Sequence, residues 1–310
     1  MSPSDRPLPQ GLDLPELHDA VVVAAFEGWN DAGDAASDAL EHLDAMWEAR
    51  TIVDIDDESY YDYQVNRPVI RQVDGVTREL VWPSMTISHC RPPGSDRDVV
   101  LMHGVEPNMR WRTFCAELLA ILDKLNVQTV VILGALLADT PHTRPVPVSG
   151  AAYSADSAKF FGHEETRYEG PTGIAGVFQD ACVQAGIPAV TFWAAVPHYV
   201  SQPPCPKATV ALLRRVEDAL DVEVPLGDLP AHVVHVQALH GLDDLVQLGA
   251  VEGAGLGDRT RVVGAPPAPA TTRRSWAPAG SWVVTSRTCG TARTTPTCSS
   301  SSSAPPARSP

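Results

Sequence analysis

The stretch Val21–Leu40, VVVAAFEGWNDAGDAASDAL, decides the fold that we predict for this chain. It begins with an apolar run of strand length, breaks at the polar segment EGWND and continues as an Ala-rich segment of helical character. We therefore predict a strand over Ala20–Phe26 and a helix over Ala32–Trp47, which together form one β-turn-α unit. Asn30 or Asp31 stands where a side-chain oxygen can cap that helix.

The pattern of an apolar strand followed by a polar loop recurs three times downstream. The further strands are predicted at Asp98–His103, Thr129–Leu133 and Ala189–Ala195. Helices are predicted at Asn108–Lys124, Thr172–Gln184 and Pro206–Leu220, from apolar positions that step by three and four residues or from Gly and Pro at the ends. This alternation predicts an α/β layered fold with a largely parallel central sheet.

Shorter segments are predicted to add antiparallel strands. Asp74-Gly75 is a favoured two-residue hairpin turn, and it separates the strand-like segments Pro68–Val73 and Val76–Trp82. Ile52–Ile55 and Thr86–His89 also have the composition of short strands. We expect the hairpin to make the central sheet mixed.

Composition and charge limit the classes of partner. The chain has 310 residues, 44% of them hydrophobic, and a formal net charge of -15, so we expect a globular core and a field that repels nucleic acid and anionic membranes. The six cysteines include no CxxC pair, which is typical of reduced thiols. With no secretory signal in Met1–Gln10 and no apolar run of membrane-spanning length, we expect a cytoplasmic protein.

The chain is predicted to contain one domain between less regular segments. Residues 1–17 are expected to form a loose lead-in, 18–230 the α/β domain, 231–260 a segment of uncertain structure and 261–310 a low-complexity tail. The tail is rich in Pro, Ala, Ser, Thr and Arg and includes the run Ser299–Ser303, a composition typical of disorder. An altered reading frame beyond about Gly249 is the alternative, because the acidic character of the domain is lost there.

The polar loops after the four strands are the candidate functional site. Ligands of open α/β sheets bind outside the carboxyl ends of the strands, and parallel strands bring these ends to one edge. A small-molecule or peptide crevice and a solvated rim of turn and capping residues are both compatible with this pattern. The candidate residues are Glu27, Trp29, Asn30, Asp31, Glu106, Asn108, Asp139, His142, Arg144, His198 and Tyr199.

The types of these residues favour some chemistries over others. Glu27 and Glu106 directly follow apolar runs, where partial burial can raise a carboxyl pKa towards acid-base use. His89 and His103 lie inside strand-like runs and are expected to be core residues. The sequence contains no G-x-S-x-G, P-loop or H-E-x-x-H motif. We therefore predict no cofactor and no metal site and identify no catalytic residue; these observations favour a non-enzymatic function but leave an enzyme at the crevice open.

Aromatic residues supply candidate interface positions. Tyr60, Tyr61 and Tyr63 follow one another within an acidic segment and cannot all face the same way. Aromatic residues are enriched in protein interfaces. Some of the three must therefore line a surface or a groove, and we take Tyr60, Tyr61 and Tyr63 as exposed candidate interface residues.

Six motifs, in order, make this chain similar to the PAC2 family and, more closely, to its actinobacterial branch. The resemblance covers about Leu14 to Leu229. It implies a phosphorylase/hydrolase-like α/β fold with a mixed sheet, and oligomers; its eukaryotic and archaeal relatives are proteasome assembly chaperones that bind α-subunits. The motifs are FEGWNDAG at Phe26–Gly33, YYDYQVNRP at Tyr60–Pro68, GVEPNMRW at Gly104–Trp111, GALLADTPHTRPVPV at Gly134–Val148, YEGPTGI at Tyr168–Ile174 and VPHYV at Val196–Val200.

Two functions are compatible with these observations. The first is a non-catalytic, chaperone-like interaction protein that forms homo-oligomers and binds a protein partner such as a proteasome subunit. The second is a small-molecule enzyme that uses the crevice after the strands, either hydrolase- or phosphorylase-like or an ATP-dependent carboxylate-amine ligase, a label that relatives have sometimes carried. The absence of a basic, glycine-rich phosphate-binding loop favours the first function.

Overall fold

A seven-stranded sheet forms the centre of the protein. The computed structural model describes residues 14–56, 58–73, 75–200, 202–227 and 229. The strands are β1 (Ala20–Glu27), β2 (Arg50–Ile55), β3 (Val69–Val73), β4 (Thr77–Val81), β5 (Met85–Cys90), β6 (Val99–Val105), β7 (Val127–Ala138), β8 (Val148–Ala152) and β9 (Ala189–Pro197). The helices are α1 (Ala35–Met46), α2 (Trp111–Lys124), α3 (Ala155–Phe161), α4 (Ile174–Gln184) and α5 (Pro206–Leu220).

The four central strands of this sheet are parallel. The strand order is β2-β5-β6-β1-β7-β9-β8. Strands β6, β1, β7 and β9 run in one direction, whereas β2, β5 and β8 pair with their neighbours in the antiparallel sense. The predicted mixed α/β fold is therefore confirmed, and the parallel set consists of the four strands that the sequence predicts to end in polar loops.

Helices cover both faces of the sheet. Because successive side chains of a strand point to opposite faces, Phe26 of β1 packs on Phe178 of α4 in one apolar core, and Val23 lies in the other core with Leu40 of α1. α2 and α4 cover the first face, and α1 and α5 cover the second. Among the described helices, none combines the length and the apolar character that a membrane crossing requires.

The β3–β4 hairpin forms a sheet of its own and does not join the central sheet. Val73 pairs with Thr77, so three residues connect the strands and not the predicted two. The expectation that this hairpin makes the central sheet mixed is wrong, because β2, β5 and β8 do so. Every residue of β3 is exposed. Since a two-stranded hairpin is only marginally stable in water on its own, these strands depend on what they contact.

β7 continues to Ala138, past the predicted strand end at Leu133. Gly134 permits this, because its missing side chain leaves room for the Trp193 ring, from which a Cβ would lie only 2.6 Å away. β9 also continues, and its Pro197 pairs with Ala138. The predicted polar loop Gly134–Arg144 therefore begins only after Ala138.

Other element boundaries also differ from the sequence expectation. α1 and α2 begin later than predicted, because the left-handed conformations of Asp34 (φ 52) and Arg110 (φ 55) interrupt the chain before them. Sequence reasoning missed β8 and α3; the β8 sequence VSGAA has too few branched residues to indicate a strand. The expectations for residues 231–260, for the tail 261–310 and its reading frame, and for the first 13 residues of the lead-in concern residues outside the described ranges.

A buried carboxylate fixes the start of β6. Asp98 is 1% exposed and accepts hydrogen bonds from the His18 backbone N–H (2.7 Å), from His89 Nε2 (3.0 Å) and from Arg91 Nη2 (2.8 Å). Burial alone would raise its pKa, but these hydrogen bonds and the Arg91 charge lower the pKa overall. His89 therefore has a structural role, as expected for a histidine within a strand.

We expect Asp98→Asn to lower the free energy of unfolding by about 3 kcal/mol at pH 7, because it leaves buried donors and Arg91 without their anion. A lowered folded-state pKa gives stability above the unfolded value of 3.8 that is lost as the pH falls below it. The deficit of the variant should therefore shrink in acid. Urea unfolding across pH tests this.

Asp96→Asn is the matched control for this substitution. Asp96 lies in the same loop and is exposed, so its substitution should change the free energy of unfolding by less than about 0.5 kcal/mol. Equal effects of the two substitutions would contradict the role assigned to Asp98.

Candidate functional site

The carboxyl ends of the four parallel strands lie along one edge of the sheet. Glu27 at the end of β1 pairs with Val105 at the end of β6. The Ala135 N–H of β7 donates to the Asn30 carbonyl at 2.8 Å, so the loop after β1 lies beside β7. The convergence predicted from the parallel strand order is confirmed. Within that edge the candidate residues fall into separate groups.

The first group joins the loops after β1 and β6. Glu106 Oε2 accepts a hydrogen bond from Asn30 Nδ2 at 3.0 Å, and the Glu106 carboxylate also accepts the backbone N–H of Trp29. The Glu106 N–H donates to the Glu27 carbonyl at 3.0 Å. His103 Nε2 lies 3.4 Å from Glu27 Oε1. The structure thus brings Glu27, Asn30 and Glu106 together and adds His103.

Both carboxylates of this group have raised pKa values. Burial raises the pKa of Glu106 against the opposing hydrogen bonds from Trp29 and Asn30. Burial also raises the pKa of Glu27; His103 opposes the rise, and the charges of Glu41, Asp31 and Asp34 add to it. The direction agrees with the sequence expectation for a carboxylate that follows an apolar run.

A pocket of about 690 Å³ lies between this group and the β3–β4 hairpin. We call it the hairpin pocket. Its sheet side is lined by Glu27, Trp29, His103, Glu106 and Asn108, and its hairpin side by Arg67, Arg71, Val81 and Trp82. Its volume is typical of small-molecule sites. Most of its lining residues were assigned no role in ligand binding by the sequence, among them His103, Arg67, Arg71, Val81 and Trp82.

Asp31 stabilises helix α1. Its carboxylate accepts the backbone N–H groups of Ala36 (2.6 Å) and Ser37 (2.9 Å) and the Ser37 hydroxyl. The side chain is buried and is not among the pocket-lining residues. Asp31 therefore satisfies N–H groups in the first turn of α1, although Asp34 occupies the N-cap position, and Asn30 instead donates to Glu106.

The second group lies on the loops after β7 and β9. The His142 N–H donates to the Tyr199 hydroxyl at 2.9 Å, and the His198 ring packs edge-on against the Tyr199 ring at 5.4 Å. Lys207 Nζ donates to the carbonyls of His142 and Arg144, at 2.5 Å each. These contacts fix the loop and leave its side chains at the surface. Asp139 forms no hydrogen bond or ion pair within the described part of the chain.

The exposure predicted for Tyr60 and Tyr61 is wrong. Both are 2% exposed; the Tyr60 ring packs edge-on against Phe114 at 5.2 Å, and its hydroxyl donates to Glu117. Tyr63 is partly buried and packs on Trp82 at 4.8 Å, which ties the base of the hairpin to the domain. A run of tyrosines in an acidic segment suggests a surface, but burial with a hydroxyl partner is equally compatible with that residue type.

The charges around the hairpin pocket limit what it can hold. Carboxylates on the sheet side repel a phosphate, whereas the arginines face the pocket from the other side. Within the described ranges, no three His, Cys, Asp or Glu side chains are grouped so that they could hold a metal ion. The pocket is thus a site with two oppositely charged sides.

Comparisons with known proteins identify relatives of the whole domain. The model of the PAC2 family matches residues 25–239. A Mycobacterium tuberculosis protein described as the proteasome-assembly chaperone homologue Rv2125 is 77% identical, with 76% of this chain and 97% of that chain covered and a TM-score of 0.65. A PAC2 family protein from Streptomyces avermitilis is 55% identical, with 76% and 100% covered and a TM-score of 0.69.

More distant structures share the fold. The archaeal proteasome activator PbaB of Pyrococcus furiosus is 14% identical, with 75% of this chain and 96% of that chain covered and a TM-score of 0.61. At this identity the likeness concerns the fold alone. No protein with a curated description matches the sequence.

Asp38 provides a test of the charge distribution at this edge. Burial raises its pKa from 3.8 to about 6, and the charges of Glu41, Asp34 and Asp31 add to the rise. We expect Asp38→Asn to increase the free energy of unfolding at pH 7 by about 1 kcal/mol, a value discounted for the partial exposure of the side chain. A folded-state pKa above the unfolded value means that stability is lost as the pH rises from 3.8 to about 6. The increase in the free energy of unfolding of Asp38→Asn should therefore develop as the pH rises from 3.8 to about 6.

The measurement is urea unfolding at a series of pH values, with Asp180→Asn as the control. Asp180 is exposed in the middle of α4, and its substitution should have little effect at any pH. A gain for Asp38→Asn that is independent of pH, or equal to that of the control, would refute the assignment.

Proposed function

The chain belongs to the PAC2 family, and from this premise we propose that it is a non-catalytic, chaperone-like interaction protein that acts in proteasome assembly. The observation that carries the proposal is its 77% identity, over 97% of the other chain, to a protein described as a proteasome-assembly chaperone homologue. Homo-oligomerisation and a cytoplasmic location are part of the proposal. The partner that we propose is a proteasome α-subunit.

The outer face of the β3–β4 hairpin is the contact surface that we propose for this partner. Cross-strand pairs place Ile70 beside Leu80 and Gln72 beside Arg78 on one face of the hairpin, and alternation places Val69, Arg71 and Val81 on the opposite face, which lines the pocket. Ile70 is 62% exposed and Leu80 is 48% exposed.

The chemistry of this outer face indicates what it would bind. Two adjacent exposed aliphatic side chains on a strand pair are better placed in a protein contact than in water. Arg78 beside them is a cation on a protein of net charge -15, so the partner surface should be apolar with an acidic rim. Binding would also supply the packing that an isolated hairpin lacks.

The proposed function is tested with purified proteasome α- and β-subunits from the same organism. The protein should bind the α-subunits and should change the rate at which assembled particles appear on native gels. Size-exclusion chromatography with light scattering measures its own oligomeric state. If neither binding to α-subunits nor a change in assembly rate is observed, the proteasome link is refuted.

We expect Ile70→Glu to weaken binding to the α-subunit by at least about tenfold, because it places a charge in an apolar contact. Gln72→Glu adds the same charge on the same face of the same strand, beside Arg78 and outside the aliphatic pair, and it should weaken binding much less. Surface plasmon resonance on both variants, with circular dichroism to compare their folding, makes the measurement. Equal losses for the two variants, or none for Ile70→Glu, would exclude the aliphatic pair as the contact.

A further inference from the structure

The hairpin pocket carries charges of opposite sign that do not neutralise each other. Glu27 and Glu106 line its sheet side, and Arg67 and Arg71 line its hairpin side. In the described part of the chain, neither arginine forms an ion pair or a hydrogen bond with any carboxylate. Charged side chains that stay unpaired on opposite sides of a cavity are available to bind groups of opposite charge.

The Glu106 carboxylate is held in place on the sheet side. Asn30 is 2% exposed, and its amide donates to Glu106 at 3.0 Å. The backbone N–H of Trp29 fixes the same carboxylate. Gly28 lies beside the same carboxylate with a φ of 115, which favours glycine, and a Cβ there would be in ordinary van der Waals contact with Glu106 Oε2 at 3.6 Å. The Glu106 carboxylate is thus preorganised for a cation.

Further groups in the pocket could make contacts with a ligand, either as hydrogen-bond partners or as exposed aromatic surfaces. His103 Nε2 is buried and forms no hydrogen bond within the described protein; its nearest charged neighbour is Glu27 Oε1, at 3.4 Å. The Trp29 side chain is 76% exposed and that of Trp82 is 45% exposed, and both line the pocket. Indole faces bind apolar groups and cations.

We propose that the hairpin pocket binds a small zwitterion of the amino-acid and short-peptide class. The ammonium group lies at the sheet side, against Glu27 and Glu106, and the carboxylate lies at the hairpin side, against Arg67 and Arg71. The tryptophans contact the part of the ligand between its charged ends. This site is on the inner face of the hairpin, so the inference does not depend on the protein partner proposed for the outer face.

The size of the pocket agrees with this class of ligand. Its volume of about 690 Å³ falls within the range of pockets that enclose small molecules. A polyanion could pair with the two arginines but would leave the two glutamates without a cation, and a simple amine would leave the two arginines without an anion. A ligand with one charge of each sign at its ends satisfies both sides.

The experiment is isothermal titration calorimetry on the full chain with Ala-Phe-Ala, acetyl-Ala-Phe-Ala and Ala-Phe-Ala-amide. The peptide with both ends free should bind, and blocking either end should weaken binding by at least about tenfold, because each blocked end removes a charge-assisted interaction. A panel of free-ended dipeptides and tripeptides with apolar, acidic and basic side chains covers the dependence on the side chain.

Two variants assign the ends of the ligand. Glu106→Gln should weaken the binding of free Ala-Phe-Ala by about tenfold. It should leave the affinity for acetyl-Ala-Phe-Ala almost unchanged, since that peptide has no ammonium group. Arg71→Gln should weaken the binding of free Ala-Phe-Ala by about tenfold. It should leave the affinity for Ala-Phe-Ala-amide almost unchanged. Arg78→Gln removes the same charge from the outer face of the hairpin and is the matched control, with unchanged affinity.

Several results would overturn the proposal. These are the absence of binding by every free-ended peptide at millimolar concentration, equal affinity for free and blocked peptides, and equal losses for Arg71→Gln and Arg78→Gln. If Glu106→Gln does not fold, Arg71→Gln decides the question alone, because Arg71 is exposed on the hairpin and its loss leaves the domain intact.

Discussion

The parallel register of β6, β1, β7 and β9 is the constraint on which the rest of this structure depends. Parallel strands that are buried on both faces must be almost entirely apolar. The polar residues therefore lie in the loop that follows each strand. Because all four strands end at the same edge of the sheet, the four loops lie together at that edge. The acidic edge thus follows from the parallel topology and from the requirement for apolar side chains in the buried strands.

Gathering carboxylates at one edge has an energetic cost that other contacts must offset. Glu27, Asp31 and Asp38 all have raised pKa values, chiefly from burial. Asp31 is compensated by the backbone N–H groups at the start of α1, and Glu106 by Asn30 and Trp29. Among the described residues, the partner of the Glu27 carboxylate is His103, at 3.4 Å. The uncompensated negative charge is therefore concentrated at the mouth that the hairpin, with Arg67 and Arg71, covers.

The sequence predicted the parts of the fold that depend on the pattern of apolar residues. The four buried strands follow from uninterrupted apolar runs and α5 from apolar positions on one helix face, and the convergence of the strand ends follows from the parallel topology. The hairpin itself was predicted from Asp74-Gly75, but its place over the pocket was not, because a two-stranded segment with every β3 residue exposed carries no pattern that specifies a contact. Arg67, Arg71 and Trp82 were missed for that reason. Tyr60 and Tyr61 were misplaced because residue type alone does not distinguish a surface tyrosine from a buried one whose hydroxyl is satisfied.

The hairpin links the two binding roles proposed for this protein. Its inner face lines the pocket, and its outer face presents Ile70 and Leu80. A two-stranded hairpin that few contacts hold loses conformational entropy when either face is occupied. A ligand that orders the hairpin from the inside therefore reduces the entropy loss that a partner must overcome from the outside, and linkage requires the same effect in the reverse direction. Occupancy of the two faces should be positively coupled even though the two sites share no residue.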